Sequence, residues 1–178
     1  MNILALSGSL RAASENTRLL RALACLAPAE MQVVVYSGLG ELPLFNPDIE
    51  FPNPPAVAKL REAINAADAV VIASPEYAHG VSAVIKNALD WMVGNESFVG
   101  KPVALLNAAP RATHAYHSLR ETVTMMSARM IDAACITLAQ PITGMSEDEI
   151  IQIHKVELTG VLEVLQTSTN GHGICHPE

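Results

Sequence analysis

The chain is short of charge, of aromatic rings and of cysteine, and each shortage removes a class of function. Only 16% of its 178 residues are charged and 4% are aromatic, whereas 50% are hydrophobic. Eleven Lys and Arg against 18 Asp and Glu leave a formal net charge of -7. Broad nucleic-acid binding depends on clustered cations, so no nucleic-acid partner is expected and any anionic ligand must be held by local geometry. Cys25, Cys135 and Cys175 are odd in number and lack CxxC spacing, which predicts neither a disulfide framework nor a metal site. No basic segment precedes a long apolar run, and no stretch reaches the roughly 20 residues a bilayer helix needs. A soluble cytoplasmic protein with no membrane partner is the expectation.

What the chain does have is a regular alternation of two hydrophobic periods. Five apolar runs bounded by turn residues read as strands: Ile3–Leu6, Val33–Val35, Val70–Ala73, Val103–Leu106 and Cys135–Leu138. Between them lie helical patterns. Leu19, Leu20, Leu23, Leu26 and Ala27 mark the first. Val81, Val84, Ile85, Ala88, Leu89 and Met92 mark the clearest, with Ser82, Lys86 and Asp90 on its polar face. Leu119, Val123, Met126 and Met130 mark another, in which Met125, Met126 and Met130 read as core filler. Trp91 and Met92 read as core or as a dimer seam. Ser146-Glu147-Asp148-Glu149 is a capping box with an acidic first turn, predicting a last helix to about Leu165.

Strands alternating with helices predict an α/β protein, a doubly wound five-stranded parallel sheet in the flavodoxin-like order 2-1-3-4-5 with helices on both faces. Its length suits one domain, taken as residues 1–168. Residues 169–178 read as a disordered tail, in which His172, Cys175 and His176 have no matching ligands elsewhere. The loop from Ser37 to Pro55, with five prolines, reads as a lid or rim.

Two loops carry the chemistry. After the first strand comes Ser7-Gly8-Ser9-Leu10-Arg11-Ala12-Ala13-Ser14-Glu15-Asn16-Thr17. Hydroxyls, an arginine and a helix N-terminus around one point make a cup for an anion, best a terminal phosphate held by Ser, Arg and Asn. The loop is neither G-x-x-x-x-G-K-[ST] nor G-x-G-x-x-G, so it lacks the signatures of a P-loop nucleotidase and of a dinucleotide fold. After the third strand comes Ser74-Pro75-Glu76-Tyr77-Ala78-His79-Gly80. In the 2-1-3-4-5 order strands one and three are neighbours, so both loops face one crevice. Pro75 fixes a turn, Gly80 permits close backbone approach, and Tyr77 offers a flat face to a ring. His79 is either a solvated loop residue or part of that wall.

The pair G-S-L-R-x-x-S-x-N-T-R-L-L and S-P-E-Y-x-x-G with V-I-K-N-A-L-D-W-M strongly resembles the NADPH-dependent FMN reductase family, which includes chromate, quinone and azo-dye reductases. The likeness extends over Glu41 to Asp48 and Glu96 to Pro102. It implies FMN, with Ser9, Arg11, Asn16 and Thr17 around the phosphate and Pro75, Glu76, Tyr77 and the turn through His79 to Gly80 along the isoalloxazine. Ser14 caps the helix or touches phosphate. The resemblance also implies NADPH or NADH as electron donor, two-electron transfer to a small-molecule acceptor (quinone-like, azo, metal-ion or free flavin), no catalytic side chain, and a homodimer or homotetramer. A non-catalytic electron carrier or redox-responsive binding protein with the same FMN site is the alternative. The chain departs from the family pattern at Ala78, where relatives often have Asn, and over Asn107 to His114, where many carry a glycine-rich loop.

Overall fold

A computed structural model describes residues 1–170. In chain order its regular elements are β1 (Asn2–Ser7), α1 (Glu15–Cys25), β2 (Gln32–Val35), α2 (Pro55–Ala66), β3 (Ala69–Ala73), β4 (Glu76–Tyr77) and β5 (Gly80–Val81). They continue with α3 (Ala83–Val93), β6 (Pro102–Asn107), α4 (Thr113–Met125), β7 (Arg129–Met130), β8 (Ile136–Thr137) and α5 (Glu147–Asn170). The parallel sheet runs β2-β1-β3-β6-β7, which is the expected spatial order. Ile3 pairs with Ala69 and Ser7 with Ala73, so the ends of β1 and β3 lie level.

Strand periodicity explains the two layers. Ile3, Ala5, Val71, Ala104 and Leu106 join a core with Leu19, Leu20 and Leu23 of α1 and Leu158, Val161 and Leu165 of α5. Leu4, Leu6, Val70, Ile72, Val103 and Leu105 join the opposite core with α2, α3 and α4. Both faces of β1, β3 and β6 are buried, which is why they read as unbroken apolar runs rather than alternating ones. Trp91 and Met92 belong to the second core, and the Trp91 indole N–H donates to Pro43 O at 2.8 Å. That bond ties the Ser37 to Pro55 segment down as a rim, with Leu39 and Leu42 buried beneath it.

Four expectations need correction. The fifth strand, expected as Cys135–Leu138, is two short pieces: β8 within that run, pairing with Leu106 and Asn107, and β7 ahead of it, pairing with Pro102 and Val103. A 3-10 turn over Asp132–Ala134 breaks the ladder between them, and the Leu105 N–H there donates to Cys135 Sγ at 3.4 Å. Second, Met130 lies in β7, because α4 ends at Met125 and Ser127 takes a positive φ of 61°. Met125 is not core filler either, being 78% exposed. Third, α3 starts at Ala83: Val81 is in β5, and Ser82 is the N-cap, accepting from Ile85 N at 3.3 Å. Finally, α5 runs past Leu165 to Asn170. Its capping box forms as expected, with Glu149 Oε2 accepting from Ser146 N at 2.7 Å. Of the tail expected from residue 169, residues 171–178, with His172, Cys175 and His176, lie outside the described residues.

Candidate functional site

The cup after β1 is built by its own backbone and hydroxyls. Ser14 accepts from Thr17 N at 3.2 Å and Ser14 N donates to Arg11 O at 3.0 Å, which turns the loop into α1. Its hydroxyl is therefore the helix cap, one of the two roles the sequence left open. Thr17 Oγ1 and Ser7 Oγ lie 2.7 Å apart, and Arg11 N donates to Ser9 Oγ at 3.4 Å. Ser9, Arg11 and Thr17 line a cavity of about 280 Å³ together with Arg21, Tyr36 and Ser37. Asn16 and Ser14 are buried and do not line it. Asn16 Oδ1 has no hydrogen-bond partner, although it is fully shielded. Guanidinium, hydroxyls and the open N-terminus of α1 form a donor set suited to a terminal phosphate, so the cup fits the anionic end of FMN.

The second loop is a two-residue hairpin, which the sequence did not reveal. Tyr77 pairs with Gly80 and Glu76 with Val81. The positive φ values fall on Ala78 (48°) and His79 (60°), not on Gly80. Two consecutive left-handed residues are the geometry of a type I′ turn, in which Asn and Gly are preferred. The departure at Ala78 therefore alters backbone strain at the turn. Gly80 has a milder constraint, since a Cβ there would sit 3.3 Å from Tyr77 O. Tyr77 is 63% exposed, leaving its ring open to a partner.

Gly8 joins the two loops. Its N–H donates to Ala73 O at 2.8 Å, and a Cβ there would sit 2.7 Å from both Ser74 Oγ and Ser82 Oγ. Any larger residue would force Ser74, Ser82 or Ile85 to shift, so glycine lets the cup close on the foot of the hairpin. Against α4, Glu76 Oε2 accepts from Ala115 N at 2.8 Å, and the His79 and His114 rings stack with centroids 4.0 Å apart. The loop before α4 is shaped by buried Asn107, whose amide donates to Ala112 O at 3.1 Å and accepts from Ala109 N at 3.1 Å. A side chain thus shapes the turn into α4. Sequence reading had not marked Arg21, Tyr36 or Ser37 for the site. The position of Arg21 three and four residues after Arg18 and Thr17 on α1 was the available signal.

Comparison with known proteins gives the chain's family and fold relatives. The profile of the family described as NADPH-dependent FMN reductase matches residues 1–142. An NAD(P)H-dependent FMN reductase of Pseudomonas aeruginosa is 36% identical over 132 residues, covering 71% of each chain. A quinone reductase of Escherichia coli K12 is 33% identical over 140 residues, covering 74% of each. Among solved structures, the flavoenzyme NAD(P)H:(acceptor) oxidoreductase FerB of Paracoccus denitrificans superposes with a TM-score of 0.77 at 26% identity, over 97% of this chain and 99% of that one. A Pseudomonas aeruginosa flavodoxin, at TM-score 0.62 and 14% identity, shares the fold alone.

Proposed function

The chain belongs to the NADPH-dependent FMN reductase family, and on that footing we propose that it oxidises NAD(P)H and delivers two electrons to a quinone-like acceptor. The observation that supports this reading is the Gly8 contact, which sets the foot of the anion cup against Ser74 and Ser82, the residues that flank the Tyr77 hairpin. Bound there, FMN supplies the two-electron chemistry between nicotinamide and acceptor.

The protein's own part is binding and orientation. Ser9, Arg11 and Thr17 would hold the phosphate, with Ser14 and Asn16 supporting the loop from within α1. Pro75, Glu76, Tyr77, His79 and Gly80 would line the ring. Backbone N–H groups of this hairpin would favour negative charge on the ring's pyrimidine side, which is electrostatic preorganisation and asks for no catalytic side chain. The Glu76 carboxylate acts one step back, fixing the hairpin to α4. Free flavin, which takes two electrons as a quinone does, azo compounds, which take two in each of two successive steps, and metal ions, which take electrons singly, are further acceptors in this reading.

One FMN-binding domain over residues 1–168, assembled as a homodimer or homotetramer in the cytoplasm, completes the proposal. Exposed Leu44 and Phe51 on the rim, each 83% accessible, suit burial by a second copy. Among the described residues no helix is long and apolar enough to cross a membrane.

Anaerobic mixing of FMN-loaded protein with each nicotinamide, followed by steady-state turnover with a quinone, tests the reading. Flavin bleaching with rapid quinone turnover is expected. Bleaching without turnover would indicate an electron carrier, and failure to bind FMN would overturn the assignment.

A further inference from the structure

The Tyr77 hairpin and the start of α4 meet through two imidazoles. β3 and β6 are neighbours in the sheet, so the segments that leave their carboxyl ends, the hairpin and the Asn107 turn into α4, stand side by side. His79 lies in the turn of the hairpin and His114 in the first turn of α4. Their rings stack at 4.0 Å between centroids and 18° between planes, and both residues are exposed. Glu76, which accepts from the Ala115 amide at 2.8 Å, holds the two elements in that relation. A stack covers ring faces, whereas imidazole nitrogens lie on ring edges, so stacking leaves them open to an incoming molecule.

We propose that this pair is the acid that protonates the acceptor's oxygen, which makes quinones, acceptors that must take up protons, the class for which the site is equipped. The inference rests on the reading of the hairpin as a wall of the FMN ring. Conversion of a quinone to a hydroquinone takes two electrons and two protons, formally a hydride and one further proton. NAD(P)H supplies the hydride by way of the bound flavin and leaves as NAD(P)+. The further proton has to reach the oxygen as negative charge develops there, and imidazolium is the side-chain acid that holds and releases a proton near neutrality. Its N–H bond breaks, an O–H bond forms on the acceptor, and the neutral ring takes a proton back from solvent. An acceptor stacked on a ring that the hairpin flanks has its oxygens beside the edge of the His79–His114 stack. His117, one turn further along α4, packs edge-on against Tyr116 instead, with centroids 5.8 Å apart.

The test compares FMN-loaded wild type, His117→Gln and the double variant His79→Phe/His114→Phe, which keeps two stackable rings but carries no exchangeable proton on them. Each protein is photoreduced anaerobically and mixed by stopped flow with benzoquinone or with ferricyanide, which accepts electrons and no proton. Quinone should reoxidise the double variant about 100-fold more slowly than wild type, the low end of what a positioned acid contributes. Its ferricyanide rate and its FMN affinity should be unchanged. Free imidazole in the buffer should restore part of the quinone rate, and His117→Gln should match wild type. A readout apart from turnover comes from the imidazole nitrogen resonances of oxidised, FMN-loaded wild type by NMR. Benzoquinone should shift those of His79 or His114 and leave those of His117 in place. Equal slowing with both acceptors, an undiminished quinone rate in the double variant, or His79 and His114 resonances indifferent to quinone would overturn the inference while leaving the reductase assignment intact. Wild-type protein that does not hold FMN, or whose reduced form quinone does not reoxidise, would overturn that assignment as well.

Discussion

Glu76 Oε2 accepts a 2.8 Å hydrogen bond from the Ala115 amide, so a side chain from the β4–β5 hairpin caps α4 from outside that helix. Ala112, the residue at the cap position, has no side chain able to do so. A carboxylate at a helix N-terminus also meets the positive end of the macrodipole. Glu76→Ala should therefore cost about 0.5–2 kcal/mol, the usual range for a lost cap. Glu76→Gln keeps an acceptor and should lose less. Urea unfolding of the two variants checks this, and an unaltered midpoint for Glu76→Ala would remove the cap.

Gly8 carries the tightest contact between the cup and the hairpin's foot. A Cβ would meet Ser74 Oγ and Ser82 Oγ at 2.7 Å and Ile85 Cγ1 at 2.9 Å. Gly8→Ala should destabilise by about 1–3 kcal/mol, typical of overpacking. Adding Ser74→Ala removes one obstructing oxygen and should recover part of that loss. A double-mutant cycle by chemical denaturation with no coupling between the two positions would contradict the contact.

Ala78 sits at φ 48° in a turn that asks for left-handed backbone. An L-residue with a Cβ is strained there, and Asn less so. Ala78→Asn should raise stability by about 0.5–1 kcal/mol. Thermal unfolding reads the change, and a destabilised variant would mean that the turn tolerates Ala without strain.

Glu149 accepts from both the amide and the hydroxyl of Ser146, and these bonds hold its carboxyl below the ordinary glutamate value. Because the folded value is the lower one, the stabilisation is fully present above the unfolded glutamate's pKa. It is lost as pH falls through the folded value. Glu149→Gln should flatten that part of the acid side of the stability profile. Superimposable acid profiles for the two proteins would contradict the linkage.

Sequence periodicity revealed the parallel sheet because β1, β3 and β6 are buried on both faces and leave apolar runs that admit few other readings. It failed where packing overrode local pattern. Met126 and Met130 continue the helical spacing of Leu119 and Val123, in steps of three and four, yet the chain leaves α4 at Met126 and turns at Ser127. The β4–β5 hairpin was hidden because Ala78-His79 carries no Asn-Gly turn signal. At the site, Ser9, Arg11 and Thr17 were legible from their place between a strand and a helix start. Arg21 was not, because its place in the cavity depends on the end of β2 lying beside α1, a relation set by sheet order.

The division of labour between the two loops is tested most directly by four dissociation constants, those of FMN and riboflavin for Arg11→Ala and for Tyr77→Ala, measured by flavin fluorescence against wild type. Riboflavin keeps the isoalloxazine ring and lacks the phosphate. Arg11→Ala should weaken FMN by roughly 10- to 150-fold through loss of a charge-assisted hydrogen bond and leave riboflavin nearly unchanged. Tyr77→Ala should weaken both ligands by similar factors. If Arg11→Ala weakens riboflavin as much as FMN, the loop from Ser9 to Thr17 does not hold the phosphate.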